Sequence, residues 1–324
     1  MASEPTSDGQ AAAVILLARL WTEGPGLDDR DEIERTSLQC DGTEHVQLRI
    51  MLSWVDAMDG RPVGTVREIE RRELAAISAA TRLRHAINAA DLQEIDRWLQ
   101  IVVKDPIDAF SPVARGMIDL AVIDAGLFAR NPAAVEATAL ALAEDGQPVA
   151  IRIQALRRGV SIALSRADLA RASELAREAQ DLAVSANRIL DARIARGLVG
   201  ICTTLGGDKA RPSGDALTDL AIATLEPPLR ALNRLTEMMR KAGEAGDALT
   251  YMLSALIGAR RYVEIDRRVD AWLTITSAYV LLLDRDPAYA EPLDEERELW
   301  LEAWGKDEYD RVVRAGVAIA NKPR

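Results

Sequence analysis

The chain has 324 residues, of which 48% are hydrophobic, 28% are charged and only 4% are aromatic. This composition excludes a largely disordered chain and supplies enough apolar surface for a buried core. The net charge of −11 disfavours binding to DNA or RNA, because acidic surfaces repel phosphate groups. No apolar run is long enough to span a membrane. From the charge and the apolar runs together, we expect neither a nucleic-acid nor a membrane partner.

The distribution of charge and the positions of the cysteines further limit the classes of protein that fit this sequence. Residues 1–46 contain ten acids and three bases, residues 284–310 contain eleven and three, and residues 47–283 contain thirty of each. Cys40 and Cys202 are far apart and form no CxxC motif, so the sequence predicts neither a disulfide framework nor a zinc site. The N-terminus does not resemble a signal peptide, and we expect a cytoplasmic protein.

Residues 1–72 are predicted to form an N-terminal helical cap. An apolar helix from about Gln10 to Thr22 precedes a Gly-Pro-Gly break at residues 24–26, and a second helix runs from about Glu44 to Met58. The acidic run at residues 28–32 is interpreted as a helix start, where negative charge is favoured by the helix dipole.

From residue 73 to residue 305 the sequence predicts consecutive amphipathic helices, with apolar residues at i, i+3, i+4 and i+7. Short turns containing an Asp or Asn suited to capping the next helix recur at steps of 40, 37, 40, 39 and 39 residues. A near-constant period is typical of stacked helix pairs, and an irregular helical bundle is the alternative. The six turns are Ala90-Asp91, Arg130-Asn131, Ala167-Asp168, Gly207-Asp208, Gly246-Asp247 and Arg285-Asp286.

The chain is predicted to end with two amphipathic helices, Glu296–Trp304 and Asp307–Ala320. Residues 306–324 are interpreted as a C-terminal capping helix and tail, with the charged outer face that a terminal repeat needs. Trp300 and Trp304, four residues apart, either pack into the core or form an aromatic anchor for a partner.

The segment Arg166–Ala183, RADLARASELAREAQDLA, resembles the second helix of a tetratricopeptide (TPR) unit with its preceding turn. Ile151–Ser165, which contains Gly159, resembles the first helix. The resemblance covers about residues 73–305 and is clearest from 117 to 225. It departs from the family in its period near 39 residues instead of about 34, and in lacking most first-helix Trp and Tyr residues and a regular terminal Pro. It implies an all-α fold, a right-handed α-solenoid of antiparallel helix pairs (a TPR-like superhelix) with helical caps.

In a TPR-like array the first helix of each pair lines a concave groove, so the resemblance implies that equivalent first-helix residues form a ladder there. Arg158, Arg196 and Arg234 follow one another at steps of 38 residues. Their guanidinium groups could bind the carboxylates of an acidic peptide. Pairing with acids of neighbouring helices is the alternative. Further arginines on the same helices are Arg157, Arg193 and Arg230.

No catalytic or metal-binding motif is found. His45 and His85 belong to no HExxH or Glu-x-x-His unit, and the lysine after Gly206-Gly207-Asp208 lacks the frame of a phosphate-binding loop. We therefore expect no cofactor, no metal and no enzymatic activity. The sequence favours a non-catalytic scaffold or adaptor that binds a protein or an acidic peptide in a concave groove. The alternative is a regulatory or ligand-sensing helical subunit that controls a separately encoded enzyme.

Overall fold

A computed structural model describes residues 7–64, 71–104, 107, 109–208 and 215–321. These residues form sixteen α-helices and two short 3₁₀ turns, with no β-strand among them, which confirms the all-helical prediction for this part of the chain. The helices are α1 (Ser7–Glu23), α2 (Arg30–Ser37), α3 (Gly42–Met58), α4 (Arg72–Asn88), α5 (Leu92–Lys104), α6 (Pro112–Phe128), α7 (Pro132–Ala143), α8 (Val149–Ser165), α9 (Leu169–Ser185), α10 (Ile189–Leu205), α11 (Ala216–Leu225), α12 (Pro228–Ala245), α13 (Ala248–Glu264), α14 (Arg268–Arg285), α15 (Glu291–Trp304) and α16 (Lys306–Ala320).

The six turns found in the sequence each lie between two consecutive helices, from α4/α5 to α14/α15. In the first five, the residue before the Asp or Asn has a positive φ, which ends the preceding helix as a left-handed residue does. Asp91, Asp168 and Asp247 then accept hydrogen bonds from backbone amides of the following helix. The sixth turn differs, because Asp286 leads into a 3₁₀ turn over Pro287–Tyr289.

Two further turns of the same geometry were missed in the sequence. Asn187, between α9 and α10, has φ 55°, and Asp266, between α13 and α14, has φ 56°. In both, the polar residue itself takes the left-handed conformation, whereas the pattern used for prediction places it one residue later. Asn and Asp tolerate the left-handed conformation better than most side chains, so each of these residues can end the preceding helix by itself.

The chain divides into two compact units, unit 1 (Met1–Val199) and unit 2 (Gly200–Arg324), and the division falls within α10. The domain boundaries expected near residues 72 and 305 stay predictions. None of the helices in the described ranges is both long enough and apolar enough to cross a lipid bilayer.

The main apolar core of unit 1 is built from α1 to α8, and a smaller apolar cluster joins α8, α9 and α10. Neighbouring helices pack along the chain, and α6 also contacts α4 and α8, each of the three being the first helix of its pair. Trp54 and Met117 are fully buried in this core. Gly116 allows α6 and α8 to approach closely, because a β-carbon there would lie 2.6 Å from Ile151 Cγ2. The N-terminal helix α1 packs against α3, α6 and α8 and completes the core.

In unit 2 the helices from α11 onward pack in sequence, and α11 also contacts α13. The larger core cluster contains Trp272, Ile275 and Leu293, and a smaller one joins Leu220 of α11 to Leu235 of α12. The 3₁₀ turn and α15 close over α14, while α16 packs on the same helix. In unit 2, α12 therefore packs against both α11 and α13, which also contact each other.

Candidate functional site

Arg157 and Arg158 lie on α8, where their guanidinium groups bind carboxylates of two neighbouring helices. Arg158 donates two hydrogen bonds of 2.7 Å to Asp124 on α6, and Arg157 Nη1 lies 3.2 Å from Asp191 on α10. Arg84 on α4 reaches the same Asp124 at 3.1 Å. Arg158 is only 6% exposed. These ion pairs therefore connect α4, α6, α8 and α10, and Arg158 is occupied within the fold.

The electrostatics of this network follow from burial and pairing. Burial alone would raise the pKa of Asp124, but the charges of Arg158 and Arg84 and the hydrogen bonds from Arg158 outweigh burial and hold the pKa below its usual value. For Asp191 burial dominates, and its pKa is raised despite the charges of Arg157 and Arg188. Asp124 is thus a stably ionised hub between two arginines.

The turn between α1 and α2, residues 24–29, reaches across to the start of α10. The Asp28 carboxylate accepts hydrogen bonds from the backbone amides of Leu190, at 2.9 Å, and Asp191, at 3.4 Å. Asp29 pairs with Arg188 at 3.1 Å, and Arg188 also donates to the Gly24 carbonyl. Part of the acidic run interpreted as the start of α2 therefore caps a different helix, distant in sequence.

Arg193 and Arg196 lie on the exposed side of α10. Neither makes an ion pair or a side-chain hydrogen bond within the described ranges. Arg158 and Arg196, 38 residues apart, thus occupy opposite environments: one is buried in an ion pair and the other is solvated. Equal spacing in the sequence does not give these two side chains equal surroundings.

Arg234 lies on α12, in the wall of a cleft of about 580 Å³ in unit 2. Arg234 donates hydrogen bonds of 2.9 and 3.0 Å to Glu226, which is 2% exposed, and its Nη1 lies 3.6 Å from Asp219 on α11. The hydrogen bonds that Arg234 donates to Glu226 are the main reason that the pKa of Arg234 is raised. Arg234 therefore fixes the wall of the cleft and is neutralised by the two acids beside it.

One stripe of α12 forms the floor of the cleft. It starts at Arg230 and Asn233, continues through Glu237 and Met238, and ends at Ala245, with residues recurring at helical spacing. The start of α13 supplies the opposite end, where the Asp247 carboxylate accepts a hydrogen bond from the Thr250 amide. The cleft thus has polar groups at one end of α12, and at the other the small apolar residue Ala245 beside the charged Asp247.

Most charges in the cleft have internal partners. Glu237 accepts a hydrogen bond of 2.6 Å from Arg240 and lies 3.5 Å from Lys241. The hydrogen bond from Arg240 lowers the pKa of Glu237 to about 2, so this carboxylate is ionised at neutral pH. The side chains of Arg230 and Asn233, by contrast, bind no other side chain or backbone group in the described part of the chain. The cleft therefore offers a cation without a counter-ion and an amide without a partner.

Trp300 and Trp304 stack on each other on α15, with ring centroids 5.0 Å apart. Trp300 is buried and donates a hydrogen bond of 3.1 Å to Glu296, which Arg260 also binds. Trp304 is half-buried beneath the guanidinium of Arg268. Trp300 belongs to the core of unit 2, and Trp304 has only part of its ring at the surface.

The sequence did not reveal the acids that bind the arginines. Arg158 and Asp124 are 34 residues apart, and so are Asp191 and Arg157. This equal separation of acid and base on first helices is the signal in the sequence that indicates the two pairs. Asn233 was not identified either, since a single exposed amide carries no pattern.

In the part of the chain that is described, no three His, Cys, Asp or Glu side chains are grouped so that they could hold a metal ion. Compared with known proteins, the chain matches no family model, no curated protein and no solved structure. The functional argument therefore depends on the geometry and charge of the cleft itself.

Proposed function

We propose that this protein is a non-catalytic interaction scaffold of the cytoplasm, a TPR-like solenoid of helix pairs, that docks a segment of a protein partner in the cleft of unit 2. The regular capped turns and the packing of successive helices support the architecture. The observation that carries the docking site is the pair Arg230 and Asn233, unbonded within the described chain and facing an open cleft with an apolar end.

The carboxylates of the cleft support binding over catalysis. Glu226 is held by Arg234, and Asp247 is engaged as a helix cap. Glu237 has a pKa of about 2 and so is a poor general base near neutral pH, where efficient proton transfer needs a pKa close to the working pH.

A ligand-sensing subunit is the second candidate. The volume of the cleft, about 580 Å³, lies within the range of small-molecule pockets, about 300–1,000 Å³. The two candidates make different demands on the occupant: a docking site accepts a stretch of polypeptide chain, whereas a sensor site recognises one compact molecule.

The proposal is tested by selecting peptides from a random twelve-residue display library on the full chain. Ala245, exposed in the cleft, is replaced by tryptophan (Ala245→Trp) to fill its apolar end, and Ala221→Trp, at an exposed position of α11 outside the cleft, is the matched control. We expect selected peptides to bind Ala245→Trp at least tenfold more weakly and to bind Ala221→Trp unchanged. Selection that yields no peptide sensitive to Ala245→Trp would overturn the docking function.

A further inference from the structure

We infer that the cleft of unit 2 recognises an acidic segment of the partner in an extended conformation, with a carboxylate bound by Arg230 and a main-chain peptide group bound by Asn233. This inference rests on the proposed docking function. It adds the chemistry of the partner and the order of its features along the chain.

Four carboxylates and three cations line the cleft, and the pairing of the cations shows where a carboxylate of the partner can bind. Arg234 is neutralised by Glu226 and Asp219, and Lys241 lies beside Glu237. Arg230 is the cation left without a counter-ion among the described residues. An occupant with a carboxylate gains a charge-assisted hydrogen bond there and breaks no internal pair. A basic group placed beside Arg230 meets an uncompensated like charge, which disfavours binding at this end of the cleft.

Asn233 supplies the contact that does not depend on the partner's side chains. Arg230 and Asn233 are three residues apart on α12, so their side chains are neighbours on one face of the helix. A carboxamide has both a donor and an acceptor, and a peptide group presents the complementary pair. Asn233 is exposed and unpaired in the described chain, so this bond replaces only bonds to water.

The distance between Arg230 and Met238 along α12 sets the expected spacing between the acidic and the apolar residue of the partner. Arg230 and Met238 are eight residues apart, which is about 12 Å along an α-helix. An extended chain advances about 3.3 Å per residue, so about four residues span that distance. The partner should therefore carry an apolar residue about four positions from its acidic residue, with the apolar side chain against Met238.

The test uses the same random library on three forms of the full chain: the natural protein, Arg230→Gln and Arg196→Gln. Arg196 is the control, since it is an exposed arginine on another helix that also has no partner within the described ranges. We expect the natural protein and Arg196→Gln to enrich peptides with an acid about four positions from an apolar residue. Arg230→Gln is expected to lose the acidic enrichment.

The strongest selected peptide is then synthesised in its acidic form and with that acid replaced by its amide. We expect the amide form to bind the natural protein at least tenfold more weakly, and both forms to bind Arg230→Gln with equal affinity. Asn233→Ala should weaken both forms by the same factor, because it removes a contact to the main chain.

The outcomes separate the two claims. Peptides that are sensitive to Ala245→Trp but show no acidic enrichment, or a basic one, overturn the inference and leave the docking function standing. If no selected peptide is sensitive to Ala245→Trp, both are overturned. Equal loss of affinity in Arg230→Gln for the acidic and amide forms also overturns the inference, because it shows a role of Arg230 other than carboxylate recognition.

Discussion

In unit 1 the buried charged side chains of the first helices bind one another, whereas in unit 2 Arg230 on α12 lines a cleft and has no counter-ion among the described residues. The central part of the network in unit 1 contains four arginines and four aspartates, and Arg19 and Glu23 pair with it at the surface. Two of the aspartates come from the turn at residues 24–29. The members of the central part are Arg84, Arg157, Arg158, Arg188, Asp28, Asp29, Asp124 and Asp191.

The buried charges of unit 1 are paired and Arg230 is not paired among the described residues, because these side chains differ in how far they are removed from water. A charge removed from water is tolerated only when a partner and hydrogen bonds replace its hydration, so a buried network has to be complete within the fold. Arg230 faces an open cleft and remains hydrated, so it needs no internal partner. Burial therefore distinguishes the arginines that hold helices together from arginines such as Arg230 and Arg196, which have no partner among the described residues.

The largest expected effect contrasts two arginines. Arg158→Ala leaves Asp124 with Arg84 alone and should destabilise the protein by about 3–5 kcal/mol, as breaking a buried ion pair does. Arg230→Ala should change the free energy of unfolding by less than about 0.5 kcal/mol. Urea unfolding of both variants measures this contrast. Similar losses for the two would show that Arg230 is also structural.

The acidic turn of unit 1 is tested next. Asp29→Asn weakens the pairing of Arg188, which is 5% exposed, and should destabilise the protein by about 2 kcal/mol. Asp28→Ala removes a cap from α10 and should cost about 1 kcal/mol. Asp31→Asn, in the same acidic run but with a 98% exposed side chain, is the control and should have no measurable effect. Equal stability of the variants would mean that the turn only connects α1 to α2.

How far the sequence predicts the molecule depends on the range of the interaction. The helices and five of the capped turns follow from local rules, since Asp168 and its helix are adjacent in the chain. The pairing of Asp28 with the start of α10 joins residues 162 positions apart, and no local pattern encodes it. The same holds for the burial of Arg158, which depends on how α6 and α8 pack. The cleft was not predicted, because its openness is a property of three packed helices.

Asp119 tests whether the buried acids of unit 1 are all compensated by the charges of neighbouring cations. Burial raises the pKa of Asp119 on α6 to about 6, against the charge of Arg115. The folded chain then binds this proton more tightly than the unfolded chain, so stability is lost as pH rises from about 4 to about 6 and stays lower above that. Asp119→Asn should stabilise the protein by about 1 kcal/mol at pH 7, a value reduced for partial solvent screening, and by nothing at pH 4. Thermal unfolding at both pH values measures this, and a pH-independent difference would contradict the titration of Asp119.

The smallest effect compares equivalent turns of the two units. Ala167 in unit 1 and Gly246 in unit 2 both precede a capping aspartate and have φ of 59° and 72°. A β-carbon in the left-handed conformation costs about 1–2 kcal/mol, and glycine avoids this strain but loses more backbone entropy on folding, about 0.5–1 kcal/mol. Ala167→Gly should therefore stabilise the protein by about 0.5–1 kcal/mol, and Gly246→Ala should destabilise it by a similar amount. A higher urea midpoint for Ala167→Gly and a lower one for Gly246→Ala would show that the same backbone preference acts in both turns. Shifts of the same sign would show that contacts of the turn outweigh the backbone preference.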